Sequence, residues 1–279
     1  MSRSAIIIAI DSSISMQEWT MFHNTRMRKM DAAALIANFA IDELVTRSKR
    51  SEQIRDYYDI AIIQYSGDGI EYATPNHEEE MVHINRLHEA LPQPVCYNIV
   101  HIDEDGTKKT IPINLHEWVK PKAIGISPMY EALVHIKNLI STWCSDSFNR
   151  RSFPPIVINI TDGCCGDAED FELIELASEI QKIGTKDGTT LLVNIYLANE
   201  IDDTSDTLFP RLSEHFSEEH DCQMLYDMSS VLPEELEYAM KYINGCSSIG
   251  PYKCFARNAS VCEILTITDI GTEECHRYN

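Results

Sequence analysis

Residues 5–16 read AIIIAIDSSISM. The aliphatic run Ala5–Ile10 stops at Asp11, and hydroxyls follow at Ser12, Ser13 and Ser15, interrupted by Ile14. A run this solidly apolar suits a strand covered on both faces, the environment of a parallel sheet flanked by helices. Its ending raises a question. Asp and Ser close turns by bonding their own backbone, and they also gather oxygen atoms around a cation.

Working outward, comparable runs stand at Ile60–Tyr65, Ile156–Ile160 and Leu191–Leu197, with a weaker one at Gln223–Tyr226. The segments between them keep helical spacing. Met30, Ala33, Ala34, Ala37, Ile41 and Leu44 mark a long first helix. Met129, Ala132, Leu133, Ile136, Ile140 and Trp143 mark a second, and Leu173, Leu176, Ala177 and Ile180 a third. Leu236, Ala239, Met240 and Ile243 predict a last one. Pro128 and Pro233 sit where a helix's first turn accepts proline. Strands alternating with helices predict an α/β fold: a Rossmann-like, doubly wound, mostly parallel sheet with helices on both faces.

Two regions break this rhythm. In residues 76–122, Val95–Ile102 and Thr110–Asn114 flank Asp105-Gly106, a hairpin turn signal. The segment is expected to be an insertion near one sheet edge. Residues 246–279 are short, cysteine-bearing and loop-like. The expected organisation is a domain over 1–245 that contains the insertion, followed by a C-terminal extension over 246–279.

Composition narrows the function. The chain has 279 residues, 44% hydrophobic, enough for one large core or two modest ones. Its formal net charge of −21 works against phosphate backbones and anionic lipid unless a basic patch is concentrated somewhere. The best basic clusters, Arg26, Arg28, Lys29 and Arg47, Lys49, Arg50, read as solvated helix ends. Neither nucleic acid nor membrane is expected as a partner. Ala5–Ile10 is too short for the apolar core of a signal peptide, and no apolar stretch reaches the ~20 residues of a membrane span. Nine cysteines, an odd number, read as reduced thiols. A cytoplasmic protein is expected.

Open parallel sheets bind ligands at the carboxyl ends of their strands, where strand order reverses. Asp11, Ser13 and Ser15 follow the first strand; Thr161, Asp162 and Gly163 follow the run Ile156–Ile160; "GISPMYEAL" places Ser127 just before a helix. Oxygen donors alone point to a hard cation such as magnesium, which keeps several waters. Ser13, Ser15 and Ser127 are suited to direct ligation, and Asp11 and Asp162 to orienting coordinated water. A first shell poor in charge leaves an ion electrophilic enough to recruit an outside carboxylate.

At these residues the chain resembles the von Willebrand factor type A domain with its metal-ion-dependent adhesion site. The D-x-S-x-S motif is Asp11, Ser13, Ser15; the hydroxyl of a G-x-T-P-like loop is Ser127; the aspartate of T-D-G is Asp162. Ser127 stands where threonine is usual, and Ile14 where glycine is common in bacterial members. The resemblance covers roughly residues 4–245. It implies Mg²⁺ or Mn²⁺ held at the top of the sheet and a protein partner that offers an Asp or Glu to the metal. It also implies a bacterial cytoplasmic setting, beside ATPase chaperones or beside Ser/Thr kinases and phosphatases in stress systems.

Competing readings stand beside this one. Asp11 and the serines could form only a turn and cap, or a vestigial site. Asp269 ends another apolar run, without a T-D-G turn. Trp19 and Phe22, in the long loop "QEWTMFHNTRMRKM", are either partner contacts or side chains folded back on the sheet. Cys164-Cys165 reads as packing. Cys246, Cys254, Cys262, Cys275 and His276 suffice for zinc by count but lack a C-x₂-C pair. The rival class, a metal-dependent hydrolase, lacks a general base beyond Asp11 and Asp162. There is no P-loop, and Pro128 lacks the N–H that a nucleophile elbow at Ser127 needs. No enzymatic activity is expected.

Overall fold

The computed structural model describes residues 3–22, 24–50, 53–74, 79–102, 106–200, 207–216, 219–234 and 250–258. The chain opens with β1 (Ser4–Asp11), then a hairpin of β2 (Trp19–Phe22) and β3 (Thr25–Arg28), then α1 (Lys29–Ser48). A short pair, β4 (Lys49–Arg50) and β5 (Gln53–Ile54), leads to β6 (Tyr58–Ser66), β7 (Gly69–Tyr72), β8 (Val82–His83) and α2 (Ile84–Glu89). A long hairpin follows, β9 (Pro94–Ile102) and β10 (Lys108–His116), then α3 (Met129–Ser145), β11 (Ile156–Thr161), α4 (Asp170–Ile180) and β12 (Leu191–Tyr196). The last elements are β13 (Thr207–Leu208), α5 (His220–Met228) and β14 (Phe255–Arg257).

Eight strands form one sheet in the order β13-β14-β12-β11-β1-β6-β7, with β8 also pairing β6. The pairs β6–β1, β1–β11, β11–β12 and β12–β14 are parallel; β7, β8 and β13 are antiparallel. Alternation along β1 explains the solid aliphatic run. Ile6, Ile8 and Ile10 face a core built with α1 and α2, while Ala5, Ile7 and Ala9 face one built with α3, α4 and α5. Both faces being covered, neither side of the run Ala5–Ile10 has a polar position. The architecture is the α/β, doubly wound, mostly parallel sheet expected from the sequence.

Polar side chains run in a bonded chain across the central strands. Tyr65 donates to Asn159 at 2.8 Å, Asn159 to Asn194 at 3.0 Å, and Asn194 to Ser229 at 3.0 Å. A buried chain of this kind is favourable only in one register.

β1 lies between β6 and β11. The chain runs from β1 to β6 on one side, then crosses back to β11 on the other. The carboxyl ends of β1 and β11 therefore flank the switch point of the sheet, where a crevice forms.

Several expectations change. Gln223–Tyr226 is not a strand; it lies within α5, which buries Cys222, Met224, Leu225, Tyr226 and Met228. So short an apolar run does not separate strand from helix by period alone. The 246–279 segment is not wholly a loop-like extension: its described part contains β14, which pairs in parallel with Asn194–Tyr196 of β12. The helix expected over 236–243 lies outside the described residues. The 95–114 hairpin forms, in the register Thr110↔Val100, but it lies across α1 and not along the sheet edge. Among the described residues of the insertion, only β8 joins that edge. Two residues one helical turn apart dock the hairpin. Asn38 exchanges both amide bonds with Val119, at 2.8 and 3.0 Å, and Asp42 accepts from the His116 backbone at 2.8 Å and the Trp118 indole at 3.0 Å.

Among the described residues no helix is long and apolar enough to cross a membrane.

Candidate functional site

Asp11 is the last residue of β1, and its carboxylate is 1% exposed. The Ser13 backbone N–H donates to Oδ1 at 2.8 Å, which bends the chain into the short 3₁₀ turn Ile14–Gln17. Oδ2 accepts from Ser127 Oγ at 2.9 Å and from Thr161 Oγ1 at 2.8 Å. Burial pushes the Asp11 carboxyl up to about 6; the charge of Asp162 adds to this, and the hydrogen bonds from Ser13 and Thr161 oppose it. The hydroxyls of Ser13 and Ser15 stand 3.1 Å apart.

Ser127 is placed by backbone, not by side chains. Ile124 N–H donates to Ser12 O at 2.8 Å, and Ile14 N–H to Gly125 O at 2.9 Å, so the first loop and the third run as a short ladder. Gly125 has φ +65°, and a β-carbon there would stand 2.6 Å from the α-carbon of Gly67. Two glycines thus let the loop after β6 and the loop before Ser127 cross at backbone contact. On the far side, Gly166 N–H donates to Ser127 O at 2.9 Å. Asp167 accepts from the Tyr130 and Glu131 N–H groups at 3.1 and 2.9 Å, satisfying the free donors at the start of α3.

Asp162 follows β11 and is 3% exposed. Its Oδ1 accepts from the Cys164 N–H at 3.3 Å; its Oδ2 meets the Lys29 ammonium at 3.0 Å. Lys29 is itself 3% exposed and also donates to Glu18 Oε2 at 3.1 Å.

The structure therefore gathers the residues singled out in the sequence. Asp11, Ser13, Ser15 and Ser127 are joined by direct bonds or hydroxyl contact, and Asp162 stands beside them, close enough for its charge to act on Asp11. The donor set suits a small hard cation. Adjacent vertices of an octahedron with metal–oxygen bonds of about 2.1 Å lie about 3 Å apart, the spacing seen between the Ser13 and Ser15 hydroxyls. Ser127 and Thr161 each spend a proton on Asp11 and keep oxygen lone pairs. Among the described residues no group of three or more His, Cys, Asp and Glu side chains forms a metal cluster. A cation here depends on serine hydroxyls.

Two participants were not assigned from sequence. Thr161 was read only as part of the T-D-G turn, yet its hydroxyl supports Asp11 and accepts from Gly163 N–H at 3.0 Å. The basic cluster around Arg28 predicts a solvated Lys29, whereas Lys29 is buried in the site. Its position opening an apolar helix was the available signal.

Phe22 is corrected as a partner contact: it is fully buried in the core against α1, on the inward side of the β2–β3 hairpin. Trp19 is half-buried, with the Arg26 and Arg28 guanidinium groups each 3.8 Å from its ring centroid. Apolar side chains that do face solvent on the site's own loops include Ile14, Ile124 and Ile126, 53%, 42% and 61% exposed. The first is the residue that interrupts the serines.

Cys164 is exposed, and partial burial with the Asp162 and Asp221 carboxylates pushes its thiol up to about 11. Cys254 is buried in the core. Asp269, Cys246, Cys262, Cys275 and His276 lie outside the described residues.

No protein-family model matches the chain, and no curated protein does. Among solved structures, a von Willebrand factor type A protein from Catenulispora acidiphila is similar at 16% identity and a TM-score of 0.40, over 70% of this chain and 33% of that one. Three N-terminal domains of the type V pili tip protein Mfa5 from Porphyromonas gingivalis align at 11% identity and a TM-score of 0.33, over 59% of this chain and 20% of that one. An aerotolerance-related membrane protein from Bacteroides fragilis aligns at 10% identity and a TM-score of 0.34, over 81% of this chain and 88% of that one. The chain thus spans about a third of the first of these proteins and a fifth of the second.

Proposed function

We propose that this chain is a metal-dependent protein-binding module that captures one acidic side chain of a partner protein. The observation that carries the reading is the convergence of Asp11, Ser13, Ser15, Ser127 and Asp162 at the switch point of the sheet. Ser13, Ser15 and Ser127 would hold Mg²⁺ or Mn²⁺ directly, with Asp11 and Asp162 acting through water. The bound ion supplies an electrophilic open position for a carboxylate. The residues around it do the rest. Asp11 fixes the hydroxyl orientations, the crossing of Gly67 and Gly125 fixes the Ser127 loop, and Ile14 and Ile126 offer apolar contact beside the site.

The reading is of a binding module and not an enzyme. Asp11 is held by three donors and Asp162 by Lys29 and Cys164 N–H, so both bases in the site are engaged. By analogy with the resemblance at Asp11, Ser13 and Ser15, the proposed setting is the bacterial cytoplasm, in a stress system with ATPase or kinase and phosphatase partners.

The test is capture of the partner in Mn²⁺ and in chelator. The complex should dissociate in chelator, fail to form with Asp162→Ala, and weaken steeply when one interface acid of the partner becomes the neutral amide. It should change little with moderate salt, because screening weakens diffuse ion pairs far more than a coordinated carboxylate. A complex that persists in chelator would refute the reading.

A further inference from the structure

We propose that Lys29 is a built-in counter-cation that holds Asp162 in the metal-free site and sets a ceiling on how tightly that site takes its divalent ion. The inference rests on the metal-binding reading above and adds a residue that controls it.

Lysine here breaks two local preferences. Its ammonium is buried, at 3% exposure, and a buried charge is costly unless it is paired. It is also the first residue of α1, where the helix dipole disfavours a cation, and the preceding Arg28 provides no side-chain cap. Local rules broken together mark places where something other than stability is served.

Two carboxylates compensate, and they differ. Glu18, 3.1 Å from Nζ, has a side chain 59% exposed and belongs to the rim. Asp162, 3.0 Å away, has a side chain 1% exposed and belongs to the site. The Lys29 backbone N–H also donates to Glu18 O at 2.9 Å, which ties the start of α1 to the segment that carries Glu18. Asp162 consequently has a cationic partner before any ion arrives, and the buried site is preformed. A divalent ion drawing on the same carboxylate meets the ammonium across a poorly screened interior, where like charges repel strongly. Lys29 lowers affinity while it preserves the shape of the empty site.

Calorimetric titration of Mn²⁺ into the wild type, Lys29→Met, Lys29→Gln and Lys29→Arg tests this, with circular dichroism reporting the fold of each. Methionine keeps the length of the stem and drops the charge. Glutamine also drops the charge while keeping an N–H for Asp162, so it serves where the methionine variant does not fold. Both should bind Mn²⁺ at least about tenfold more tightly than the wild type, whereas arginine, which retains the charge, should not tighten binding. Tight binding by the uncharged variants alone would support the inference in its strongest form. Equal or weaker binding in the methionine and glutamine variants would overturn it and leave metal binding standing. No binding by any of the four would overturn the metal reading, and the inference with it.

Discussion

Asp11 and Asp59 are both buried carboxylates, 1% and 5% exposed, on neighbouring strands. Asp11 ends β1, and Asp59 stands near the start of β6, opposite Ala5 in the register. Their donors set them apart. Asp59 is bonded by the Trp143 indole at 2.8 Å and by the His83 ring, and the Arg3 guanidinium lies 3.7 Å away. Indole and guanidinium are donors only, so nothing in that pair offers a lone pair to a newcomer. Asp11 is bonded by two hydroxyls and a backbone N–H. The hydroxyls satisfy the carboxylate and retain acceptor capacity. Two carboxylates, equally buried, thus divide into one that closes a structure and one that organises oxygen atoms around a space.

The contrast is most exposed to refutation at Asp59. Asp59→Ala leaves the Trp143 N–H buried without its acceptor and should cost about 3 kcal/mol, read as a lower melting temperature, with the response to Mn²⁺ unchanged. Loss of that response would erase the distinction. Next in size, Mn²⁺ at a hundredfold excess over its Kd should add roughly 2.7 kcal/mol to the wild type. Asp11→Ala should fold and show no such gain. If wild type and variant melt alike at all Mn²⁺ concentrations, the site is vestigial.

Gly125→Ala sharpens the comparison by moving the Ser127 loop without touching a ligand. Its β-carbon would meet Gly67 at 2.6 Å, and the expected cost is about 1–3 kcal/mol together with weaker Mn²⁺ binding. Gly69→Ala is the control. It has φ +99° with nothing within 4 Å, so it should lose stability and keep Mn²⁺ affinity. The smallest effect on the metal response belongs to Ser127→Thr, which adds one methyl at a buried position and keeps the hydroxyl, so it should cost no more than about 1–3 kcal/mol and remain responsive to Mn²⁺. Ser127→Val, of similar volume to threonine but lacking the hydroxyl, should lose the response.

The sheet was legible because strands covered on both faces leave solid aliphatic runs, and β1, β6, β11 and β12 all do. The site residues were legible because each stands at the end of such a run or just before a helix. Lys29 was not, since its pairing with Asp162 joins positions 133 residues apart and a lone lysine in "RMRKM" looks like any solvated charge. Phe22 misled for the opposite reason: a polar neighbourhood in sequence surrounds a side chain that a hairpin turns inward. The β9–β10 hairpin announced itself through Asp105-Gly106, but its seat did not, because Asn38 and Asp42 resemble ordinary polar positions on a helix. β14 is three residues long and carried no periodic signal at all.

That last strand has a bearing on how the molecule is made. The outer edge of β12 is closed in two stages. Leu192 exchanges bonds with Ser230, its N–H to the hydroxyl and its C=O from the backbone N–H, and Asn194–Tyr196 then pair with β14. A ribosome delivers residue 230 well before residues 255–257. In that interval the nascent chain carries a nearly complete sheet whose last apolar strand has half an open edge, the form most prone to pair with a neighbouring chain. Translation past Arg257 is what pairs that edge.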